Sequence, residues 1–148
     1  MNIERLAIVG AFGGTHIGGS LARAARSLGV ATVDFDMREA ASGNRVLDAL
    51  AWRLTDRRPL RLSRFAGKVV EGCRRERLQI LISTGMAPLP ATALQALSAM
   101  GVVSINYSTD DPWNPAQRAR WFLRALPYYD HVFTPRSANV EDFERLGY

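Results

Sequence analysis

The chain has 148 residues, 47% of them hydrophobic, which suits one soluble domain with its own core and excludes a disordered or low-complexity chain. Cys73 is the only cysteine, so an internal disulfide is excluded and a reducing, cytoplasmic setting is expected. The net charge is +5, and no apolar run approaches the roughly 20 residues of a bilayer span.

The first residues, Met1 to Arg5, lack a signal peptide's order of basic segment, apolar segment and cleavage site. Leu6-Ala7-Ile8-Val9 predicts a short buried strand closed by Gly10. Leu21, Ala24, Ala25 and Leu28 follow at the spacing of one helix face, and Gly29 stops that helix. Val30 to Phe35, rich in β-branched residues, predicts a second strand. A helix facing the core through Val46, Leu47, Leu50 and Leu54 comes next, then one using Leu62, Ala66, Val69, Val70 and Cys73. Ile80 to Ile82 predicts a third strand. Pro90 precedes a helix of Leu94, Leu97 and Met100 that Gly101 ends. Val102 to Ile105 is a fourth strand. Pro115 is expected to open a helix carrying Trp121, Phe122 and Ala125, with Pro127 just beyond. His131 to Phe133 is a fifth strand, and Val140, Phe143 and Leu146 mark a last helix.

Strands and helices alternate, and the strands read as apolar on both faces. The pattern implies an α/β fold: a doubly wound, Rossmann-like parallel sheet of about five strands with helices on both faces. No internal repeat and no linker divides residues 1–148. The last helix ends at Gly147, where the alternation calls for another strand, so a fragment of a longer protein is expected.

The basic charge is uneven. From Arg53 to Arg77 nine basic residues, Lys68 among them, face only Asp56, Glu71 and Glu76. This block reads either as a solvated helical face or as a surface for anionic lipid or a charged partner, with peripheral membrane contact in view. Nucleic acid is disfavoured because Phe65 is the only aromatic residue within the block proper.

In open parallel sheets ligands bind beyond the carboxyl ends of the strands, so the residues there are the candidate site. After the first strand run Gly10, Ala11, Phe12, Gly13, Gly14, Thr15, His16, Ile17, Gly18, Gly19 and Ser20. Ser83, Thr84 and Gly85 follow the third strand. Asn106 to Pro115 follows the fourth and holds Thr109, Asp110, Asp111 and Asn114. Glycines there allow positive φ and close approach of backbone to a ligand, and a helix start attracts anions. The loop is not a P-loop, because glycine stands where the lysine must be and Lys68 is the only lysine. No register supplies G-x-G-x-x-G, although Asp34 or Asp36 could hold a ribose. A dinucleotide-binding oxidoreductase domain therefore stays open as an alternative, as does a non-catalytic binding module.

His16 is placed for general-base work or for a backbone bond at the helix start; His131 reads as structural. Asp110 and Asp111 are adjacent on an extended segment, so their side chains diverge and chelate poorly. One is free to bind ligand hydroxyls while the other caps a turn. No Cys/His cluster has zinc spacing, and no metal is expected.

Two stretches carry a resemblance. Gly13-Gly14-Thr15-His16-Ile17-Gly18-Gly19, entering a helix that ends Leu28-Gly29-Val30, resembles the first βαβ unit of GT-B glycosyltransferases. Asn106 to Pro115, reading Asn-Tyr-Ser-Thr-Asp-Asp-Pro-Trp-Asn-Pro, is followed by Tyr129-Asp130-His131-Val132-Phe133-Thr134-Pro135-Arg136. That pair of motifs is similar to the N-terminal half of the CgeB-like, spore-maturation-protein-like glycosyltransferases. The resemblance implies an acceptor-side domain, a separate C-terminal domain for the nucleotide-sugar that is absent here, no cofactor in this domain, and an incomplete enzyme. It implies His16 as base or acceptor-orienting group, with Asp110 or Asp111 as the second candidate. Gly13, Gly14, Thr15, Gly18 and Gly19 would approach the phosphate, and Thr84, Gly85, Thr109 and Asn114 would line the cleft.

Overall fold

The computed structural model describes residues 3–148. Met1 and Asn2, on which the reading of the leader partly rests, lie outside the described residues. Five strands form one parallel sheet: β1 (Arg5–Gly10), β2 (Ala31–Asp36), β3 (Ile80–Thr84), β4 (Val103–Tyr107) and β5 (His131–Phe133), in the order β2-β1-β3-β4-β5. Every neighbouring pair is parallel, with Ile8 beside Asp34 on one side and Ile82 on the other. The helices are α1 (Ile17–Ser27), α2 (Arg45–Leu54), α3 (Leu62–Arg75), α4 (Ala91–Ala99), α5 (Arg120–Ala125) and α6 (Val140–Glu144). The fold is α/β and Rossmann-like.

The two faces of the sheet are covered unequally. One face meets α3, α4 and α5 in the larger core, where Val69, Leu81, Leu89, Leu94, Leu97, Phe122 and Leu126 lose essentially all contact with solvent. Burying each such side chain stabilises the fold by roughly 1.5–3 kcal/mol. On the other face α1 packs Ala22 on Leu6, Ile8 and Ile80, with Ile82, Val103 and Ile105 only half-buried.

Glycine stops α1 and α4 as expected. Gly29 (φ +77°) and Gly101 (φ +75°) take the left-handed turn, and the next N–H groups, of Val30 and Val102, reach back to the carbonyls of Ala25 and Leu97 at 2.9 and 3.0 Å.

Four expectations are corrected. The fully buried stripe of α1 is Gly18, Gly19 and Ala22; of the expected face Leu21 and Ala25 are half-buried, with Leu21 against the core, while Ala24 is exposed and Leu28 is 80% exposed, since small residues let the helix sit closer than leucines would. The apolar stripe of α2 faces solvent: Val46 is 76%, Leu47 50%, Leu50 53% and Leu54 74% exposed, while Ala51 is buried. Pro115 does not open a helix. Residues 115–117 form a turn, and α5 starts at Arg120, whose N–H is accepted by the Asp56 carboxylate at 2.7 Å. Finally, β3 and β4 run two residues further than their apolar runs, because Ser83, Thr84 and Asn106 are strand residues buried by partners rather than by apolarity.

Candidate functional site

The site begins with a close crossing of backbone. Ala7, Ile8 and Val9 are fully buried and hold β1 at the centre of the sheet. At its carboxyl end a Cβ on Gly10 would stand 2.6 Å from the Thr84 hydroxyl and 3.2 Å from the Gly18 Cα. A Cβ on Gly18 would stand 2.7 Å from the Ala11 carbonyl oxygen. Strand and helix start approach one another only because both positions lack a side chain. Between them Gly13 (φ +93°) and Gly14 (φ +53°) turn the chain in open space. His16 then takes the extended N-cap position of α1, and its side chain makes no capping bond. The imidazole stays exposed and uncommitted.

The opposite wall comes from the ends of β3 and β4. Gly85 turns at φ +57°, and the space its side chain would fill is taken by the Asp110 carboxylate, 2.5 Å from that position. Asp110 accepts the Met86 N–H at 3.3 Å. Asp111 turns away: its Oδ1 accepts the N–H groups of Trp113 and Asn114 at 3.1 and 3.2 Å and the Asn139 amide at 2.9 Å. Asn114 in turn caps the Ala116 N–H at 2.9 Å and is exposed.

Together these segments enclose a cavity of about 340 Å³ lined by Ala11, Thr15, His16, Ile17, Gly18, Met37, Thr84, Gly85, Met86, Thr109 and Asp110. It lies where β1 sends its chain to β2 on one side and has β3 on the other, the switch point at which doubly wound sheets bind ligands. Of the residues singled out from sequence, Gly13, Gly14, Gly19, Asp111 and Asn114 do not line it. The sequence reading included Ala11 and Ile17 only as members of the glycine loop and passed over Met37 and Met86. Met37 and Met86 sit just past the ends of β2 and β3, so the strand-end rule that found Thr84 and Gly85 would have found them with correct strand boundaries.

A buried polar network fixes the floor of this wall. The Asn106 amide donates to the Ser83 hydroxyl at 2.8 Å and to the Gly85 carbonyl at 3.0 Å, and Ser83 donates to the Tyr129 hydroxyl at 3.0 Å. Burial pushes the Tyr129 hydroxyl well above the usual tyrosine range, so it stays a neutral partner. The Asn106 carbonyl oxygen is buried with no protein partner.

The acidic end of β2 is already engaged. Hydrogen bonds from the Arg38 side chain hold the Asp36 carboxyl below its usual range, opposed by partial burial, and Arg38 also donates to the Phe12 carbonyl at 3.0 Å. Asp34 is paired to Arg26 at 2.5 Å. Arg38 engages both oxygens of Asp36, whereas Asp34 is engaged through Oδ2 alone, so of the two only Asp34 keeps an oxygen open to a ribose. Among the described residues no three His, Cys, Asp or Glu side chains cluster as a metal site would require.

The fold has a solved counterpart. A structure assigned as a UDP-N-acetylglucosamine 2-epimerase from Listeria monocytogenes superposes on 99% of this chain with a TM-score of 0.56, at 13% sequence identity. The chain spans 43% of that protein's length. No protein-family model and no curated protein matches the chain. At this identity the likeness shows the fold alone, an α/β Rossmann-like sheet.

Proposed function

We propose that this chain is the acceptor-side domain of a GT-B enzyme that transfers a sugar from a nucleotide-sugar, and that the transfer site is the cavity between His16 and Asp110. The observation that carries the reading is the convergence of the glycine loop, the α1 N-terminus and the Asp110 carboxylate on one cavity at the switch point. Backbone N–H groups at the start of α1 suit a phosphate or a sugar hydroxyl. The uncapped imidazole of His16 suits proton removal from an acceptor hydroxyl, and Asp110 suits orienting it. At about 340 Å³ the cavity lies at the low end of ligand pockets. It holds a sugar or acceptor fragment, and a second domain would hold the rest of the donor. The CgeB-like motifs at Asp110-Asp111-Pro112 and Tyr129 to Arg136 support glycosyl transfer in particular. The Listeria monocytogenes neighbour supports the wider class of nucleotide-sugar enzymes and keeps epimerisation as a second reading. The single cysteine is in keeping with action in the cytoplasm.

In a form of the protein that turns over a nucleotide-sugar, His16→Ala is expected to lower kcat by about 10²–10⁴-fold, the usual share of a general base. Asp110→Asn is expected to lower it as well, with Asp111→Asn acting on stability. Wild-type turnover in both His16→Ala and Asp110→Ala would remove the cavity from the reaction. Isotope exchange at the sugar's C2 without transfer would favour epimerisation.

A further inference from the structure

The fold has no use for the apolar stripe of α2. The chain leaves the body after Ala40 and returns at Arg61, whose N–H closes the base of the excursion on the Ala40 carbonyl at 2.9 Å. Within this finger only Ala51 packs inward, while Val46, Leu47, Leu50 and Leu54 line one outward side of a helix. Half-exposed Trp52 lies on the opposite side of α2 from that stripe, at the wall of a groove of about 500 Å³ whose cations are Arg53, Arg57, Arg118 and Arg120.

The charge around this ridge is one-sided. Residues 45–64 hold six arginines and two carboxylates, and both carboxylates are spent on backbone: Asp48 accepts the Ser42 N–H at 2.8 Å, and Asp56 the Arg120 N–H at 2.7 Å. Arg45, Arg53, Arg58, Arg61 and Arg64 enter no ion pair among the described residues. The cations further along behave differently. Lys68 pairs with Glu39, Arg74 with Glu71 and Arg75 with Glu76, so most of the cations on α3 are neutralised, while the unpaired ones gather on the finger and at the adjoining start of α3.

We propose that the 41–60 finger docks on an anionic bilayer, with α2 lying in the interface, its apolar stripe among the acyl chains and its arginines on lipid phosphates. An exposed apolar stripe bordered by Arg53, with further unpaired arginines close by in sequence, is the pattern of an interfacial helix. Unpaired cations bordering an apolar ridge are complementary to a negative lipid surface. No helix among the described residues is long and apolar enough to cross a membrane, so the contact is peripheral. The inference does not depend on which reaction the cavity performs.

Vesicle flotation of the full chain tests it, using phosphatidylcholine alone and phosphatidylcholine with about one third phosphatidylglycerol at low salt. The expected result is binding to the anionic vesicles only. Leu50→Asp/Leu54→Asp is expected to weaken binding at least tenfold with an unchanged circular dichroism spectrum, since both side chains are already exposed. Arg53→Ala and Arg58→Ala are each expected to weaken it by about fivefold. Absence of binding, equal binding to neutral vesicles, or binding indifferent to the leucine pair would overturn the proposal. So would a concentration-dependent dimer in sedimentation velocity that Leu50→Asp dissolves, because the stripe would then belong to a second copy.

Discussion

At the scale of single residues, what decides the site is where side chains are missing. Gly10 and Gly18 face one another across the end of β1, and Gly85 leaves the volume that the Asp110 carboxylate occupies. Gly18→Ala puts a methyl group 2.7 Å from a backbone oxygen, which cannot step aside as a side chain would. We expect it to destabilise the protein by about 1–3 kcal/mol, the usual cost of overpacking, read from urea unfolding, and to loosen the cavity. Cys73 shows the opposite case, a side chain sealed in the core at 1% exposure. Burial pushes its thiol up to about 11, against roughly 8.5 when unfolded. The neutral thiol's contribution is therefore complete below the unfolded value and is lost as pH rises through about 11. At pH 8 the native chain should resist thiol reagents and label only on unfolding; rapid labelling of the folded chain would contradict this burial. His16 and Asp110 were legible as candidates because polar residues at strand ends serve no core. That one of Asp110 and Asp111 caps a turn was legible; which one was not, because the amide that also holds Asp111 comes from Asn139, 28 positions away.

At the scale of elements, periodicity found every strand and helix but misjudged some of their faces. The α3 stripe was read correctly because its apolar residues are also its buried ones. The α2 stripe has the same spacing and looks outward; spacing reports that a helix is amphipathic, not what its apolar side meets. The α5 start was missed for a related reason. Its first N–H is capped by Asp56 from a loop 64 positions earlier, whereas Pro115 offered a local start signal. Asp56→Ala is therefore expected to lower stability by about 1 kcal/mol, as loss of a helix cap does, with the loss visible as faster hydrogen exchange at Arg120 and the residues just after it. Unchanged exchange there would show that the Asp56 contact does not hold the start of α5.

At the scale of the whole molecule, the alternation of strands and helices was enough to reach the doubly wound sheet, and the order β2-β1-β3-β4-β5 places the switch point at the glycine loop. The unequal covering of the sheet was not legible, because Ile82, Val103 and Ile105 read as core residues and are only half-buried, whereas the polar Ser104 and Asn106 on the other face of β4 are buried. The cavity, the α1 N-terminus and the base of the 41–60 finger share the carboxyl rim of that sheet, so a ligand at a membrane surface and the transfer site would lie on one side of the molecule. The central claim is that the cavity receives the sugar-phosphate part of a nucleotide-sugar. Backbone amide shifts of the labelled chain, followed by NMR during titration with UDP-N-acetylglucosamine, test it most directly. The account predicts saturable shifts confined to Thr15–Gly19, Thr84–Met86 and Thr109–Asp110, diminished in His16→Ala and not reproduced by NAD. Silence of those amides at millimolar ligand, or shifts centred elsewhere on the sheet, would contradict it.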